Sequence, residues 1–158
     1  MTTRWLTADQ QASWRAYIAA TTLLQERLSR ELQAAHGLTI SDYEILVRLS
    51  ESPDRRLRMS GLAEHTLSSR SRLSHQIDRL EKAGLVERQA CETDRRGANA
   101  VLTDVGFALL VEAAPTHVRG VREHLLDQLT DREFAALGKA CAQVADHLRT
   151  DVECEQSA

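Results

Sequence analysis

The chain has 158 residues, 42% hydrophobic and 27% charged, with 4% aromatics, 7 Gly and 2 Pro. These are the proportions of an ordinary globular chain of mainly helical character, long enough for one domain. No apolar run approaches the ~20 residues of a membrane span, and the N-terminal MTTRWLTADQQ lacks the apolar core of a signal peptide, so a cytoplasmic protein without membrane contact is expected.

Thr7 to His36 reads as a long helix. Thr7 and Gln10 fit a capping box, apolar residues recur at Trp14, Tyr17, Ile18, Leu24, Leu28 and Leu32, and Gly37 follows as a stop. A second helix is predicted to open at SDYE (41–44) with Ser41 and Glu44 as its box, to bury Ile45, Leu46 and Leu49, and to end before Pro53. SPDRRLR is a charged turn or a short connecting strand. Ser60 is the expected cap of a short third helix, GLAEHT, and Ser69 that of a fourth, which stops at Gly84. Strand character returns at Leu85–Gln89 and Ala98–Leu102, around a polar tip, CETDRRG. Thr103 caps a further helix that Pro115 should kink or interrupt, and Thr130 with Glu133 caps a last helix ending near Arg149, beyond which the tail looks frayed.

Formal net charge is −3, but it is unevenly spread: residues 48–99 hold 11 Lys/Arg and 8 Asp/Glu, net +3. A basic middle between acidic, periodic ends is the footprint of a nucleic-acid contact hidden by the overall balance. Its centre is SSRSRLSHQIDRLEKAG (68–84), where Leu73, Ile77 and Leu80 form one apolar stripe. Serines and arginines crowd the N-terminal end, where the helix dipole favours anions over cations. A polyanionic partner resolves that conflict. A short helix, a tight turn and a helix with a polar outer face make a helix-turn-helix, whose second helix offers its N-terminal residues to the major groove. Ser69, Arg70, Ser71, Arg72, Ser74, His75 and Arg79 are the candidate contacts to bases and phosphates. Arg95 and Arg96 at the tip of the hairpin fit a wing that enters the minor groove, with Asp94 as an ion-pair partner.

The run LAEHTLSSRSRLSHQIDRLEKAGLVERQACETDRRGANAVLTDVG (62–106) resembles the MarR family of transcriptional regulators. Its most specific pieces are DRLEKAGLVER and DRRGANAVLT, the latter like the family's wing signature, an Asp-x-Arg followed by Leu-Thr. Where relatives often carry a Leu-Gly-Leu-like turn before the recognition helix, this chain reads TLS. The resemblance implies one mainly α domain over 1–158: a winged helix-turn-helix module with a two-stranded wing (41–102), flanked by N- and C-terminal dimerisation helices (7–36 and 103–149). It implies a homodimer on a pseudo-palindromic operator in double-stranded DNA, with Ser69 to Ala83 as recognition helix, Arg96 as wing arginine and Asp94 as its ion-pair partner.

It also implies a small aromatic or phenolic acid bound between the dimer helices and the winged module. Trp14, Tyr17, Tyr43 and His36 are candidates for lining that cleft and Arg15 or Arg48 for meeting a carboxylate; packing in the core or interface is the commoner fate of any one such aromatic. Cys91, Cys141 and Cys154 are scattered and form no metal spacing; a redox-sensing role is an alternative that would centre on Cys91 at the wing. The six histidines are dispersed and no phosphate loop, HExxH or nucleophile elbow is present, so no metal, cofactor or catalysis is expected. A winged helix that meets a protein instead of DNA is a further alternative, and a ligand-binding enzyme on a helical dimer is another, against which the lack of a catalytic constellation argues.

Overall fold

A computed structural model of the chain describes residues 2–91 and 94–156; the side chains of residues 94–96 and 150–156 lie outside the described set. Helix α1 (Ala8–His36) starts as its sequence dictates. The Thr7 hydroxyl accepts from the Gln10 N–H at 3.2 Å, the Gln10 side chain accepts from the Thr7 N–H at 3.0 Å, and Gly37 ends the helix with φ at 69°. Only Leu28 and Leu32 of α1 are buried, so its N-terminal two thirds stand away from the core.

Helix α2 (Ile40–Ser50) begins two residues earlier than predicted, and Ser41 and Glu44 are not its capping box. Thr39 and Asp42 are: the Asp42 N–H donates to Thr39 Oγ1 at 3.1 Å, and the Thr39 N–H donates to Asp42 Oδ2 at 3.0 Å. Both pairs have the same spacing. The earlier one places Leu38 and Tyr43, both buried, at the two positions of a hydrophobic staple, which favours that start.

A 3-10 turn (Pro53–Arg55) leads into β1 (Arg56–Arg58), so the charged connection is a strand. It pairs with β3, and the two-stranded wing expected from sequence is part of a three-stranded antiparallel sheet of order β1-β3-β2. Helix α3 (Met59–His65) follows at once; its N-cap is Arg58, still paired to Asn99, and Ser60 lies inside the helix. The turn after α3 is closed by Ser68 N–H to Ala63 O at 3.0 Å and holds Leu67 at φ 51°. Ser69 then caps α4 (Arg70–Lys82) by accepting from the Arg72 N–H at 3.2 Å. At its far end Leu85 N–H reaches Leu80 O and Gly84 N–H reaches Glu81 O, both at 2.9 Å, with Gly84 at φ 73°: a Schellman stop whose apolar pair, Leu80 and Leu85, is buried.

Strands β2 (Val86–Cys91) and β3 (Asp94–Leu102) pair in the register Val86↔Leu102 to Ala90↔Ala98, with an irregularity at Ala90/Cys91. Both are longer than predicted and take up part of the polar tip. Thr103 caps α5 (Asp104–His124) through the Gly106 N–H at 3.0 Å and ties it to the stop of α4 by donating to Gly84 O at 2.8 Å. Pro115 does not interrupt α5: it removes one backbone bond, and the helix continues to His124, where a 3-10 turn (Leu126–Gln128) replaces the predicted continuation. The Thr130–Glu133 box opens α6 (Asp131–Gln156), which runs past Arg149.

Residues 1–119 and 120–158 form two compact units. The core of the first draws Leu32, Leu46, Leu62, Ile77, Val86, Ala100, Leu110 and their neighbours from α1, α2, α3, α4, the sheet and α5. Each fully buried aliphatic side chain contributes about 1.5–3 kcal/mol of transfer free energy. That core fixes which face of α4 turns inward, and therefore which face is left for a partner.

Candidate nucleic-acid interface

With Leu73, Ile77 and Leu80 buried, the opposite side of α4 is open to solvent. Ser69, Arg70, Ser71, Arg72, His75 and Arg79 are all exposed there. Six of the seven helical candidates are thus exposed, and five of them, all but Arg70, line one groove. Ser74 differs: it is half-buried, and its carbonyl and hydroxyl both accept from Arg88, at 3.0 and 3.3 Å.

An open groove of about 670 Å³ borders this face. Ser29 of α1, the first turn of α2 (Thr39, Ile40, Ser41) and Ser69, Ser71, Arg72, His75, Gln76 and Arg79 of α4 line it. Two helix N-termini, two arginines and five hydroxyls converge on one concavity, which is the composition of an anion site. Gln76 Oε1 is buried beside it with no hydrogen-bond partner among the described residues.

Arg79 has a second task. Its guanidinium pairs with Oδ1 of Asp42, whose side chain is 4% exposed, and this ties the recognition helix to the cap of α2. Periodicity could not show this pair, because its members are 37 residues apart. His75 stands 4.0 Å from Asp78 and is 82% exposed, free to meet a base edge. The side chains of Arg95, Arg96 and Asp94 lie outside the described residues; their backbone belongs to β3.

The candidate DNA-contacting residues therefore sit on a winged helix-turn-helix scaffold, and the same arrangement is found in known proteins. A solved structure of AbsC from Streptomyces coelicolor, described as a MarR family transcriptional regulator, is 50% identical and superposes with a TM-score of 0.88 over 94% of this chain and 99% of that one. This chain belongs to the MarR family. The family's model matches residues 36–97, from the end of α1 to the wing. Sco3205, a MarR family transcriptional regulator from Streptomyces coelicolor crystallised in complex with DNA, is 48% identical with a TM-score of 0.90 over 92% of each chain. Among curated proteins, the HTH-type transcriptional regulator PecS of Dickeya dadantii (strain 3937) is 29% identical over 83% of this chain and 79% of its own length. The protein is accordingly a MarR-family transcriptional regulator with a DNA-binding winged helix.

The residues predicted to bind a ligand fall into separate places on this MarR-family chain. Trp14 and Tyr17 stack on the exposed part of α1 with ring centroids 6.0 Å apart, and Arg15 is exposed beside them. His36 and Tyr43 meet α5 instead: His36 Nε2 lies 3.0 Å from Thr116 Oγ1, and the Tyr43 and His117 rings are 4.5 Å apart. About 28 Å of helix separates Tyr17 from His36, so one chain does not bring the two groups together. Arg48 faces Glu51 at 3.8 Å. Cys91 Sγ accepts from Arg58 at 3.4 Å, Cys141 is exposed on α6, and the Cys154 side chain lies outside the described residues. Among the described residues there is no cluster of His, Cys, Asp and Glu fit for a metal, and no helix long and apolar enough to cross a membrane.

Proposed function

We propose that the protein is a sequence-specific repressor that binds a pseudo-palindromic operator as a homodimer and leaves it when a small aromatic or phenolic acid binds. The observation that carries this reading is the exposed face of α4, where serines, arginines and His75 stand beside the N-terminus of α2 in one groove. Phosphates fit the groove, and the free side chains of α4 fit base edges in the major groove. The DNA complex of the similar protein Sco3205 supports the same use of this fold here.

Dimerisation accounts for the apolar surface left on the terminal helices. On α1, Trp14, Tyr17 and Ile18 are each at least 42% exposed, and on α6 Phe134, Leu137, Val144 and Leu148 are exposed. Such stripes on long helices call for a partner. Two copies would set two recognition helices roughly 34–36 Å apart, one turn of DNA. A ligand acts by binding better to a dimer whose helices miss that spacing. The stacked Trp14 and Tyr17 with Arg15, or the cleft bounded by His36 and Tyr43, offers the aromatic and polar surfaces such an acid needs.

The test is selection of duplexes from a random pool by the purified protein, followed by titration of the selected sequence over a salt series. A palindromic consensus, a dimer in solution and a steep salt slope are expected. Arg96→Ala should weaken binding to that sequence and leave the dimer intact, while Ser71→Ala or His75→Ala should change sequence preference. Weak binding with little salt dependence would instead assign the winged helix to a protein partner.

A further inference from the structure

Arg88 lies on β2 opposite Ala100, in the inward register that Val86 and Leu102 also occupy. A core residue would be expected there; instead a guanidinium reaches the recognition helix. Its Nη1 donates to Glu81 Oε2 at 2.7 Å and forms an ion pair with Asp78 Oδ1 at 2.6 Å. Its Nη2 donates to the Ser74 carbonyl at 3.0 Å and to the Ser74 hydroxyl at 3.3 Å. Its backbone N–H, on the outer edge of the sheet, donates to Glu81 Oε1 at 3.0 Å. Ser74, Asp78 and Glu81 form one stripe along α4 at helical spacing.

We propose that Arg88 is a positioning residue for DNA recognition, fixing the rotation and slide of α4 against the wing so that both present themselves to DNA as one body. The proposal rests on the reading of α4 as the sequence reader. The apolar contacts of Leu73, Ile77 and Leu80 set which face of α4 turns inward, but hydrophobic contact is non-directional and leaves small rotations and slides of the helix against the wing weakly specified. Directional bonds from one planar fork to Ser74 and Glu81, two turns apart, with the Asp78 ion pair between them, remove that freedom. The same bonds occupy Ser74 and Asp78, which divides α4 into a wing-bound side and a free side bearing Ser71, Arg72 and His75. Arg88 itself has a side chain only 26% exposed and is spent on these partners, so it adds no phosphate contact.

The experiment compares wild type, Arg88→Lys, Arg88→Met and the double variant Asp78→Ala/Glu81→Ala on two duplexes: one selected by wild type from a random pool, and a scrambled duplex of the same composition. Arg88→Met is expected to lose about tenfold or more on the selected duplex and little on the scrambled one, with an unchanged salt slope. Arg88→Lys, which keeps the charge and loses the fork, should fall between. Equal weakening on both duplexes, fully restored by Lys, would make Arg88 a counter-charge for Asp78 and Glu81 and overturn the proposal. The double variant separates the two ideas by the ratio of the two affinities, unchanged for charge alone and lowered for the clamp, and decides the matter even if Arg88→Met fails to fold. Removing two carboxylates beside a polyanion tightens binding to both duplexes if charge alone matters, whereas loss of the clamp lowers the ratio between them. If wild type selects no consensus, the reading of α4 as a sequence reader fails and the proposal falls with it; a consensus with unaltered variants overturns the proposal alone.

Discussion

Asp42 of α2 and Arg79 of α4 form an ion pair in which the carboxylate is almost wholly buried while the guanidinium is 57% exposed. Asp42 serves two elements at once: Oδ1 takes Arg79, and Oδ2 takes the N–H and hydroxyl of Thr39 at 3.0 and 2.8 Å. Asp42→Ala removes the cap and the pair together and should cost about 2–3 kcal/mol in urea unfolding. Arg79→Ala should cost less, roughly 1–2 kcal/mol, because water can reach the side of the carboxylate that Arg79 leaves. A double-mutant cycle between the two should show coupling; additive losses would mean that the pair is a surface encounter and not a tie between α2 and α4.

Gly106 lies where α5 crosses the end of the recognition helix's stop. A Cβ there would land on the Leu85 carbonyl oxygen and within 2.8 Å of Leu102 Cδ1. The first obstacle is backbone and cannot rotate away. Gly106→Ala is expected to destabilise by about 1–3 kcal/mol and to lower the melting temperature, although Ala is the better helix former. A neutral or stabilising result would mean that α5 can shift on the wing without cost.

Leu67 is 79% exposed and holds a left-handed backbone, φ 51°, in the turn before α4. Leucine at such a position costs roughly 1–2 kcal/mol relative to its preferred conformations, and here no burial offsets it. Leu67→Gly should raise the unfolding free energy by a net ~0.5–1 kcal/mol, the gain being reduced by glycine's larger unfolded-state entropy. A loss of stability would show that the leucine makes a contact worth more than its strain.

His117 packs against Tyr43 with the rings tilted by 34°, and its Nδ1 is buried with no hydrogen-bond partner among the described residues. Burial holds the imidazole below its usual 6.5 and the Tyr43 phenol above 10.0. The unfolded chain therefore takes up a proton at His117 first. Stability is full above about pH 6.5 and is lost as the pH falls through the depressed native value. Tyr43 acts at the other end, its contribution lost as the pH rises above 10.0. Thermal melts should thus decline on the acid side below neutrality, and His117→Gln should flatten that limb. An unchanged limb would place the acid sensitivity elsewhere. Glu44 is distinguishable by sign: burial, against the pull of Arg48, raises its carboxyl, so its contribution is present at low pH and lost as the pH rises.

Much of this molecule is local in origin, and those parts are legible in the sequence. The Thr7–Gln10 and Thr130–Glu133 boxes, the stop at Gly37, the Ser69 cap and the Leu73–Ile77–Leu80 stripe each depend on residues within a few positions of one another, where spacing and side-chain chemistry are sufficient. The helix-turn-helix and the exposed, cationic face of α4 follow from that periodicity. Where two local signals competed, tertiary packing decided: Thr39–Asp42 capped α2 over Ser41–Glu44, and β1 became a third strand because β3 offered an edge. Thr39–Asp42 also brings the Asp42 carboxylate under Arg79. Arg88 left one trace in the sequence, a charge at an inward position of a strand, but its partners lie 7, 10 and 14 residues away across the turn into the wing. Asp42–Arg79, His36–Thr116 and Tyr43–His117 left none, because each joins elements far apart in sequence whose encounter depends on how the whole core packs. Spacing and side-chain chemistry thus settle most elements and the faces they expose, whereas contacts between distant segments are set by packing and not by separation along the chain.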